Sequence, residues 1–315
     1  MEIKQDGARQ EKLRNVLLLL VRLGLWGDRE EHNTRLNLTE EDWNDVFRLA
    51  MQHTVTGLAF QGVSHLPDSQ IPPQSLLVRW MAETDAVERR NKRMNGVLGQ
   101  LYNIFHEKGL NPILQKGQGV ANYYESPLLR VCGDIDLYFN NKKAWYDALD
   151  FLRKINITFT KQADEGISYR WQGVDIEHHS RLFDLYNPFL QGFVGKLEGQ
   201  KGYRHTALST YPSVIVTTPS PFLDILLQSL HILKHSVSRG IGLRQMCDMA
   251  RSCYKLHGEI DSEEMKAVCK KIGLHRWSPL LHTFLIDYLG LPKDCLPYED
   301  TAPSAAPLAE IVWRG

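Results

Sequence analysis

The chain has 315 residues, of which 43% are hydrophobic and 23% charged, and its formal net charge is zero. This composition is typical of a globular protein of about two domains, and a neutral chain lacks the broad basic face that nucleic-acid phosphates require, although it leaves room for a local basic pocket. The five cysteines are odd in number and form no CxxC pair, which predicts free thiols in a reducing cytoplasm and argues against a disulfide framework or a thiolate zinc site.

Residues 1–108 are predicted to form an N-terminal helical region. The apolar run VLLLLV at residues 16–21 is too short to span a bilayer, so we expect a buried helix and no membrane partner. Thr39 is a suitable N-cap for an amphipathic helix whose first turn is acidic. A long helix, rich in arginine and glutamate on its solvent side, is predicted over residues 74–108.

Residues 109–218 change to a mixed pattern, and residues 219–315 return to helix. The middle segment contains the strand-like runs NPILQ, DIDLYF, ITFTK, ISYRW and VDIEHH and the helix-like runs GVANYY and KKAWYDALDFLRK. Helices are predicted near residues 243–256, 262–272 and 279–289, ahead of a loop-like TAPSAAP. The predicted fold class is therefore α+β, a small mixed β-sheet flanked by N-terminal and C-terminal helical regions.

Two aspartates stand one residue apart in the strand-like run DIDLYF. Asp134 and Asp136 project from the same face of a strand and repel each other unless a cation lies between them. Hard oxygen ligands favour Mg²⁺ or Mn²⁺. Asp175 and Glu177 repeat the pattern in VDIEHH, so a neighbouring strand could supply a third carboxylate to a two-metal phosphoryl-transfer site. The alternative is a solvated strand face, since DxD is short and common.

A glycine-containing turn, LQKG, precedes this acidic pattern. Gly117 and Gly119 would let backbone N–H groups approach a phosphate, and a helix N-terminus there would add a partial positive charge. Lys116 would add a full charge. The spacing matches neither a Walker A loop nor a dinucleotide fingerprint, and such a sequence is often only a turn.

Together these motifs resemble a known family. The arrangement LQKGxxxAxYYxxPxxRxxGDIDLYF is similar to that of the bacterial uncharacterised nucleotidyltransferases, a family of the DNA polymerase β-like superfamily with an LKG, Tyr-Pro-Arg, GDIDLLV pattern. DWNDVFRLAMQHTVTGL, IEHHSRL and HILKHSVSRGIGLRQMCDMA resemble further family segments, so the likeness covers most of residues 38–255. It implies a nucleotidyltransferase core and an enzyme that moves an NMP group from an NTP to an acceptor with release of pyrophosphate, using Mg²⁺ or Mn²⁺.

The resemblance also assigns roles to individual residues. Asp134 and Asp136 would be the catalytic metal carboxylates, and Glu177 the third, with Asp175 as its competitor. Gly117 would shape the nucleotide turn, with Gly119 in the same turn and Lys116 beside the phosphates.

Cationic residues near these motifs have two interpretations each. Arg130 would organise the carboxylates or touch a phosphate, or would form a structural salt bridge. Lys234, His235 and Arg244, on the helical segment that commonly closes over the nucleotide in this superfamily, would bind the triphosphate or lie on a solvated helix face.

Three histidines, at positions 179, 231 and 235, have more than one possible role. His179 shares the strand face of Glu177 and would ligate a metal, orient substrate or serve as a hydrogen-bonded structural group. His231 stands four residues before His235, but HExxH is absent, which argues against a zinc protease.

The acceptor is not identified by the sequence. Neutral net charge favours a small molecule or a protein over a long nucleic acid. A nucleotide-binding regulatory protein without turnover is the alternative, because Gln118 follows Gly117 where many superfamily members have serine or glycine. A kinase-like phosphotransferase is a third reading, which would yield ADP in place of pyrophosphate.

Overall fold

A computed structural model describes residues 2–27, 36–162, 165–185, 187–238 and 240–314, with side chains described from residue 7 onward. Its strands are β1 (Ile113–Gln115), β2 (Ile135–Tyr138), β3 (Phe159–Lys161), β4 (Ile167–Trp171), β5 (Val174–His179), β6 (Tyr203–Leu208) and β7 (Tyr211–Pro219). They form one sheet in the order β3-β4-β5-β2-β1-β7-β6. Parallel pairs (β2 with β5, β1 with β7) and antiparallel pairs occur together, so the sheet is mixed.

Twelve helices in the described residues surround this sheet. Before the sheet come α1 (Glu2–Trp26), α2 (Glu40–Gln52), α3 (Thr56–Val63) and α4 (Gln74–Glu107). Within it are α5 (Gly117–Ala121), α6 (Lys142–Lys154) and α7 (Gln191–Lys201). After it follow α8 (Pro221–Ser238), α9 (Leu243–Leu256), α10 (Ser262–Lys271), α11 (Ser278–Asp287) and α12 (Ala306–Arg314). The predicted α+β fold class is confirmed.

Local sequence explains the helix boundaries well. Thr39 caps α2 as predicted, because its hydroxyl accepts from the N–H of Asp42 while the Asp42 carboxylate accepts from the N–H of Thr39. The helix predicted over residues 74–108 corresponds to α4. The run GVANYY, however, is helical only as far as Ala121, and helix α12 begins inside the segment TAPSAAP that was predicted to be a loop. The sequence patterns did not identify α7 or the β6–β7 hairpin.

The apolar run at residues 16–21 lies in α1 and is buried, as predicted. It packs closely on α3, where a Cβ at Gly62 would lie 1.9 Å from the carbonyl oxygen of Leu20. None of the described helices combines the length and the apolar character that a membrane crossing requires. All five cysteines are buried free thiols.

Two hydrophobic cores cover the two faces of the sheet. One core joins α4 and α6 to the sheet face that carries Ile135 and Leu137. The other joins the N-terminal and C-terminal helices, from Leu17 in α1 to Leu308 in α12, and includes Tyr138 on the opposite sheet face. The helices at the two ends of the chain therefore share one core. The acidic face of β2 is directed toward this second layer.

Candidate active site

The three predicted carboxylates line one cavity of about 860 Å³ between the sheet and helices α8 and α9. We call it the carboxylate cavity. Asp136 on β2 pairs with Glu177 on β5 across the parallel ladder, so both side chains emerge from the same sheet face. Asp134 lies one residue before β2 and faces the same space. The alternation of DIDLYF correctly predicted which residues face away from the cavity, because Ile135 and Leu137 lie in the core on the opposite face of the sheet.

Glu177, and not Asp175, approaches Asp136. The side chain of Asp175 is 65% exposed at the start of β5 and lies 3.7 Å from Arg170. It does not line the carboxylate cavity. Both residues share a strand face, but they are separated by two residues along the strand, which is about 6.6 Å. The geometry therefore distinguishes between the two candidates for the third carboxylate.

His179 and Lys116 surround Asp136 with positive or proton-donating groups. The His179 Nε2 atom lies 2.7 Å from Asp136 Oδ1 and 3.7 Å from Glu177 Oε2. The Lys116 Nζ atom lies 3.3 Å from the same Asp136 oxygen. One ligand atom from each of Asp136, Glu177 and His179 falls within 4.8 Å of the others. Asp134 lines the same cavity but is outside this close group.

The pKa values of the two neighbouring aspartates are shifted in opposite directions. Burial, followed by the charge of Asp136, raises the pKa of Asp134 to about 6. Burial would also raise the pKa of Asp136, but the charge of Lys116 and the hydrogen bond from His179 outweigh it and hold that pKa well below the ordinary aspartate value. Asp136 therefore remains ionised, while Asp134 is the carboxyl that retains a proton more easily.

The donor set fits a divalent cation. Carboxylate oxygens from Asp134, Asp136 and Glu177 suit Mg²⁺ or Mn²⁺, and the imidazole nitrogen of His179 would favour Mn²⁺ over Mg²⁺. Clustered buried carboxylates repel each other, and a bound cation would relieve that repulsion. The protein itself supplies part of this compensation through Lys116.

The turn that carries Lys116 has an unusual backbone. Lys116 has φ 48° and ψ −144°, a conformation that is strained for a residue with a Cβ, and Gly117 follows with φ +46°. Both residues line the carboxylate cavity. The helix after the turn, α5, has only five residues, so its dipole contributes less than the sequence suggested.

Gly119 has a different position from the one predicted. Its N–H donates to the carbonyl oxygen of Lys116 at 2.9 Å, so this group is not free for a phosphate. A Cβ at Gly119 would lie 3.5 Å from Thr218 Cγ2, which shows that this glycine packs against the sheet. Gly119 does not line the carboxylate cavity.

Arg130 forms the salt bridge that was the alternative to a phosphate contact. Its Nε and Nη2 atoms donate to the two carboxylate oxygens of Asp248 at 3.0 and 2.6 Å. Its Nη1 atom donates to the carbonyl oxygen of Val131 and contacts Cys132 Sγ, both at 3.3 Å. Tyr124 donates a further bond to Asp248. Four of the five N–H donors of Arg130 are thus engaged within the fold, at the edge of the carboxylate cavity that this residue also lines.

Helices α8 and α9 contribute Lys234 and Arg244 to the opposite wall of the carboxylate cavity. Lys234 Nζ forms an ion pair with Asp184. Arg244 Nη1 donates to the carbonyl oxygen of Val131 at 2.9 Å, while its buried Nε has no hydrogen-bond partner among the described residues. Burial, and then the nearby charge of Arg130, lowers the pKa of Arg244. Arg244 therefore offers an unused donor beside Asp134.

His231 and His235 also line the wall, with ring centroids 4.3 Å apart. Burial, followed by the charge of Lys116, lowers the pKa of His231 well below its usual value. His231 is therefore neutral near pH 7 and adds no positive charge to the cavity.

Other residues of the site were not predicted from the sequence to have a role. Gln162 Nε2 donates to Glu177 Oε1 at 2.9 Å. A recess of about 80 Å³ beside Lys116 and His179 is lined by Gln115 and Ser180. The Gln115 Nε2 and Ser180 Oγ atoms are buried there without hydrogen-bond partners among the described residues. Gln115 could have been identified as a site residue, because it is a polar residue at the end of an apolar strand. Gln162 lies in a loop, and no sequence pattern identifies it.

Comparison with known proteins relates the chain to one family. A family model described as "Uncharacterised nucleotidyltransferase" matches residues 39–285. A solved structure described as "Crystal structure of an antigenic nucleotidyltransferase-like protein from Paracoccidioides brasiliensis" is similar over 62% of this chain and 91% of that chain, with 14% sequence identity and a TM-score of 0.38. No curated protein matches the chain.

Proposed function

The chain belongs to the uncharacterised nucleotidyltransferase family, and from this premise we propose that it transfers an NMP group from an NTP to an acceptor and releases pyrophosphate, with Mg²⁺ or Mn²⁺ bound at its carboxylates. Family membership makes a nucleotide the expected substrate. The acceptor that the neutral chain favours is a small molecule or a protein.

One observation supports this proposal above all others. Asp134, Asp136 and Glu177 line the same cavity as Lys116 and Arg244, which places a cluster of carboxylates opposite cationic groups. Carboxylates would hold a divalent ion, and cations would meet the phosphate charge that such an ion cannot fully neutralise. A purely structural role does not account for this arrangement, because three clustered carboxylates destabilise one another.

Each protein group has a distinct part in the proposed reaction. Asp134, Asp136 and Glu177 would hold the divalent ion, which when bound would supply positive charge to the reacting phosphate oxygens. Lys116 and the guanidinium of Arg244, both of which line the cavity, would bind and orient the triphosphate. The acceptor oxygen attacks the α-phosphorus, the α–β phosphoanhydride bond breaks, and pyrophosphate leaves. Glu177, held by Gln162, would accept the proton of the acceptor hydroxyl.

Calorimetry with ATP, GTP, CTP and UTP, with and without Mg²⁺, tests the nucleotide site. We expect the wild type to bind at least one NTP only with Mg²⁺, and the variant Asp134→Asn/Asp136→Asn to lose this binding. Asp175→Asn is the matched control, because it removes an acidic charge from the exposed end of β5 and should bind as the wild type does. Binding that ignores both the metal and the double substitution would contradict the proposal.

A regulatory protein that binds nucleotide without turnover is the second candidate, and Gln118 favours it. This side chain follows Gly117, is 2% exposed, and neither of its amide atoms has a hydrogen-bond partner among the described residues. It therefore does not reproduce the serine contact expected at this turn. Pyrophosphate release during incubation with candidate acceptors separates the two functions. Mg²⁺-dependent binding with no pyrophosphate from any acceptor class would favour regulation, and ADP as product would favour phosphoryl transfer.

A further inference from the structure

A second cavity, of about 540 Å³, adjoins the carboxylate cavity. Gly133, the residue directly before Asp134, lines both of them. We call the second one the arginine cavity, because its lining includes four arginines: Arg89, Arg90 and Arg93 of α4 and Arg170 of β4. This is a local basic pocket on a chain whose net charge is zero.

The positive charge of the arginine cavity is only partly balanced. Arg89 forms an ion pair with Asp85, and Arg170 lies 3.7 Å from Asp175. The other two arginines have a different environment.

Arg90 and Arg93 contact carbonyl oxygens instead of carboxylates. Arg90 Nη2 donates to the carbonyl oxygen of Gly133 at 3.0 Å, and Arg93 Nη2 donates to that of Gln172 at 2.5 Å. Within the described ranges, neither guanidinium has a carboxylate partner. Two unbalanced guanidiniums, each with donors left over, therefore face the space beside Gly133.

Two glycines leave room for this arrangement. Gly173 has a φ of +77°, which favours glycine, and a Cβ there would lie 2.7 Å from Arg93 Nη2, so the guanidinium passes close to this backbone. A Cβ at Gly133 would meet no atom within 4 Å. The position that a side chain at residue 133 would occupy is therefore open space.

We propose that the arginine cavity binds a phosphate group of the acceptor substrate, so that the reacting end of the acceptor extends past Gly133 to Asp134. This inference rests on the proposed function. The planar guanidinium fork matches the oxygens of a phosphate, and an unbalanced pair of arginines matches a dianionic phosphate better than a single carboxylate. Lys116 and Arg244 line the carboxylate cavity and not the arginine cavity, so the triphosphate of the NTP has separate cationic partners.

The phosphate could come from a polynucleotide backbone or from a phosphorylated small molecule, and two probes distinguish these sources. Binding of a single-stranded RNA oligonucleotide is measured by fluorescence anisotropy, and binding of ribose 5-phosphate by calorimetry, with ribose as the uncharged comparison. We expect one of the two phosphate probes to bind the wild type. Polyglutamate tests an acidic protein, and its binding in place of both phosphate probes would overturn the assignment.

Arg90→Gln/Arg93→Gln tests whether the arginines are responsible. We expect its affinity for the phosphate probe to fall about tenfold or more, because charge-assisted contacts are lost. Arg90→Lys/Arg93→Lys keeps the positive charge but lacks the planar guanidinium fork, so its affinity for the phosphate probe should lie between those of the wild type and the glutamine variant. The control Arg153→Gln/Lys154→Gln removes the same charge from exposed positions on α6 that line neither cavity, and should bind as the wild type does. Thermal unfolding verifies that each variant is folded.

Mg²⁺-dependent NTP binding, measured in the same variants, separates this inference from the proposed function. It should remain unchanged in Arg90→Gln/Arg93→Gln. Intact NTP binding with no phosphate probe bound, or with equal probe affinity in wild type and variant, overturns the acceptor site alone. Absent NTP binding with arginine-dependent probe binding overturns the proposed transferase and with it the acceptor role.

Discussion

The two cavities that meet at Gly133 are built in contrasting ways. The carboxylate cavity takes its acidic side chains from the centre of the sheet, where Asp136 is 7% exposed and contacts His179 and Lys116. The arginine cavity takes most of its cations from exposed positions on α4, and these donate mainly to carbonyl oxygens. Buried strands hold charges at fixed separations, as bond-making chemistry requires, whereas exposed arginines can adjust to a ligand.

The largest effect is expected from a substitution of the buried carboxylate Asp136 in the carboxylate cavity. In Asp136→Asn, Lys116 and His179 lose the charge that they surround, and the proposed metal site would lose its most readily ionised ligand. We expect pyrophosphate release to fall by about 100-fold or more, since even indirect partners of metal ligands contribute 10–100-fold. A pyrophosphate assay measures this. Asp150→Asn, at an exposed position on α6 that lines neither cavity, should retain wild-type activity, and wild-type activity in Asp136→Asn would refute the assignment.

The next effect compares a buried arginine with an exposed one. Arg130→Ala leaves Asp248 buried without its partner, so we expect the free energy of unfolding to fall by about 3–5 kcal/mol. Arg90→Ala, at an exposed position, should change it by about 0.5 kcal/mol or less. Urea denaturation measures both. An equal loss of unfolding free energy in the two variants would contradict the structural role assigned to the Arg130–Asp248 salt bridge.

A smaller effect distinguishes the neighbouring aspartates by the sign of their contribution to stability. The pKa of Asp134 is raised to about 6, so the folded protein binds this proton more tightly than the unfolded chain, and stability is lost as pH rises through about 6. The lowered pKa of Asp136 contributes stability at neutral pH that is lost in acid.

We therefore expect Asp134→Asn to raise, and Asp136→Asn to lower, the unfolding temperature near neutral pH. Below the ordinary aspartate pKa of about 3.9, the effect of Asp134→Asn should vanish. Thermal unfolding with a chelator present, followed across this pH range, measures both shifts. Shifts of the same sign would contradict the opposite roles assigned to the pair.

The smallest effect concerns the exposed arginines of the arginine cavity and the salt dependence of probe binding. If the RNA probe binds, its affinity should fall with NaCl concentration because counterions compete for the phosphates. In Arg90→Gln/Arg93→Gln, the log–log slope should be shallower by about one unit for each arginine removed. Anisotropy titrations across a salt series measure this slope. An unchanged slope would show that these arginines do not meet phosphates.

Much of the fold was predictable because its signals are local. The capping residue Thr39, the length of α4 and the alternation of DIDLYF each depend on neighbours within a few residues. The β6–β7 hairpin was missed because its strands are only partly buried, and a weak apolar alternation is hard to recognise in a polar segment. Helix α12 was missed in part because proline and alanine near its start resemble a loop.

The sequence alone determined that the side chain of Asp136 lies on the sheet face opposite to Ile135 and Leu137, because side chains on a strand alternate whatever the strand pairs with. Tertiary structure decided which residues join Asp136. The pairing of β2 with β5 brought Glu177, and not Asp175, beside Asp136. A partner 118 residues away in the chain bound Arg130 within the fold. The packing of α4 beside Gly133 created the arginine cavity. Strand register and helix packing depend on contacts between distant segments, which no local pattern specifies.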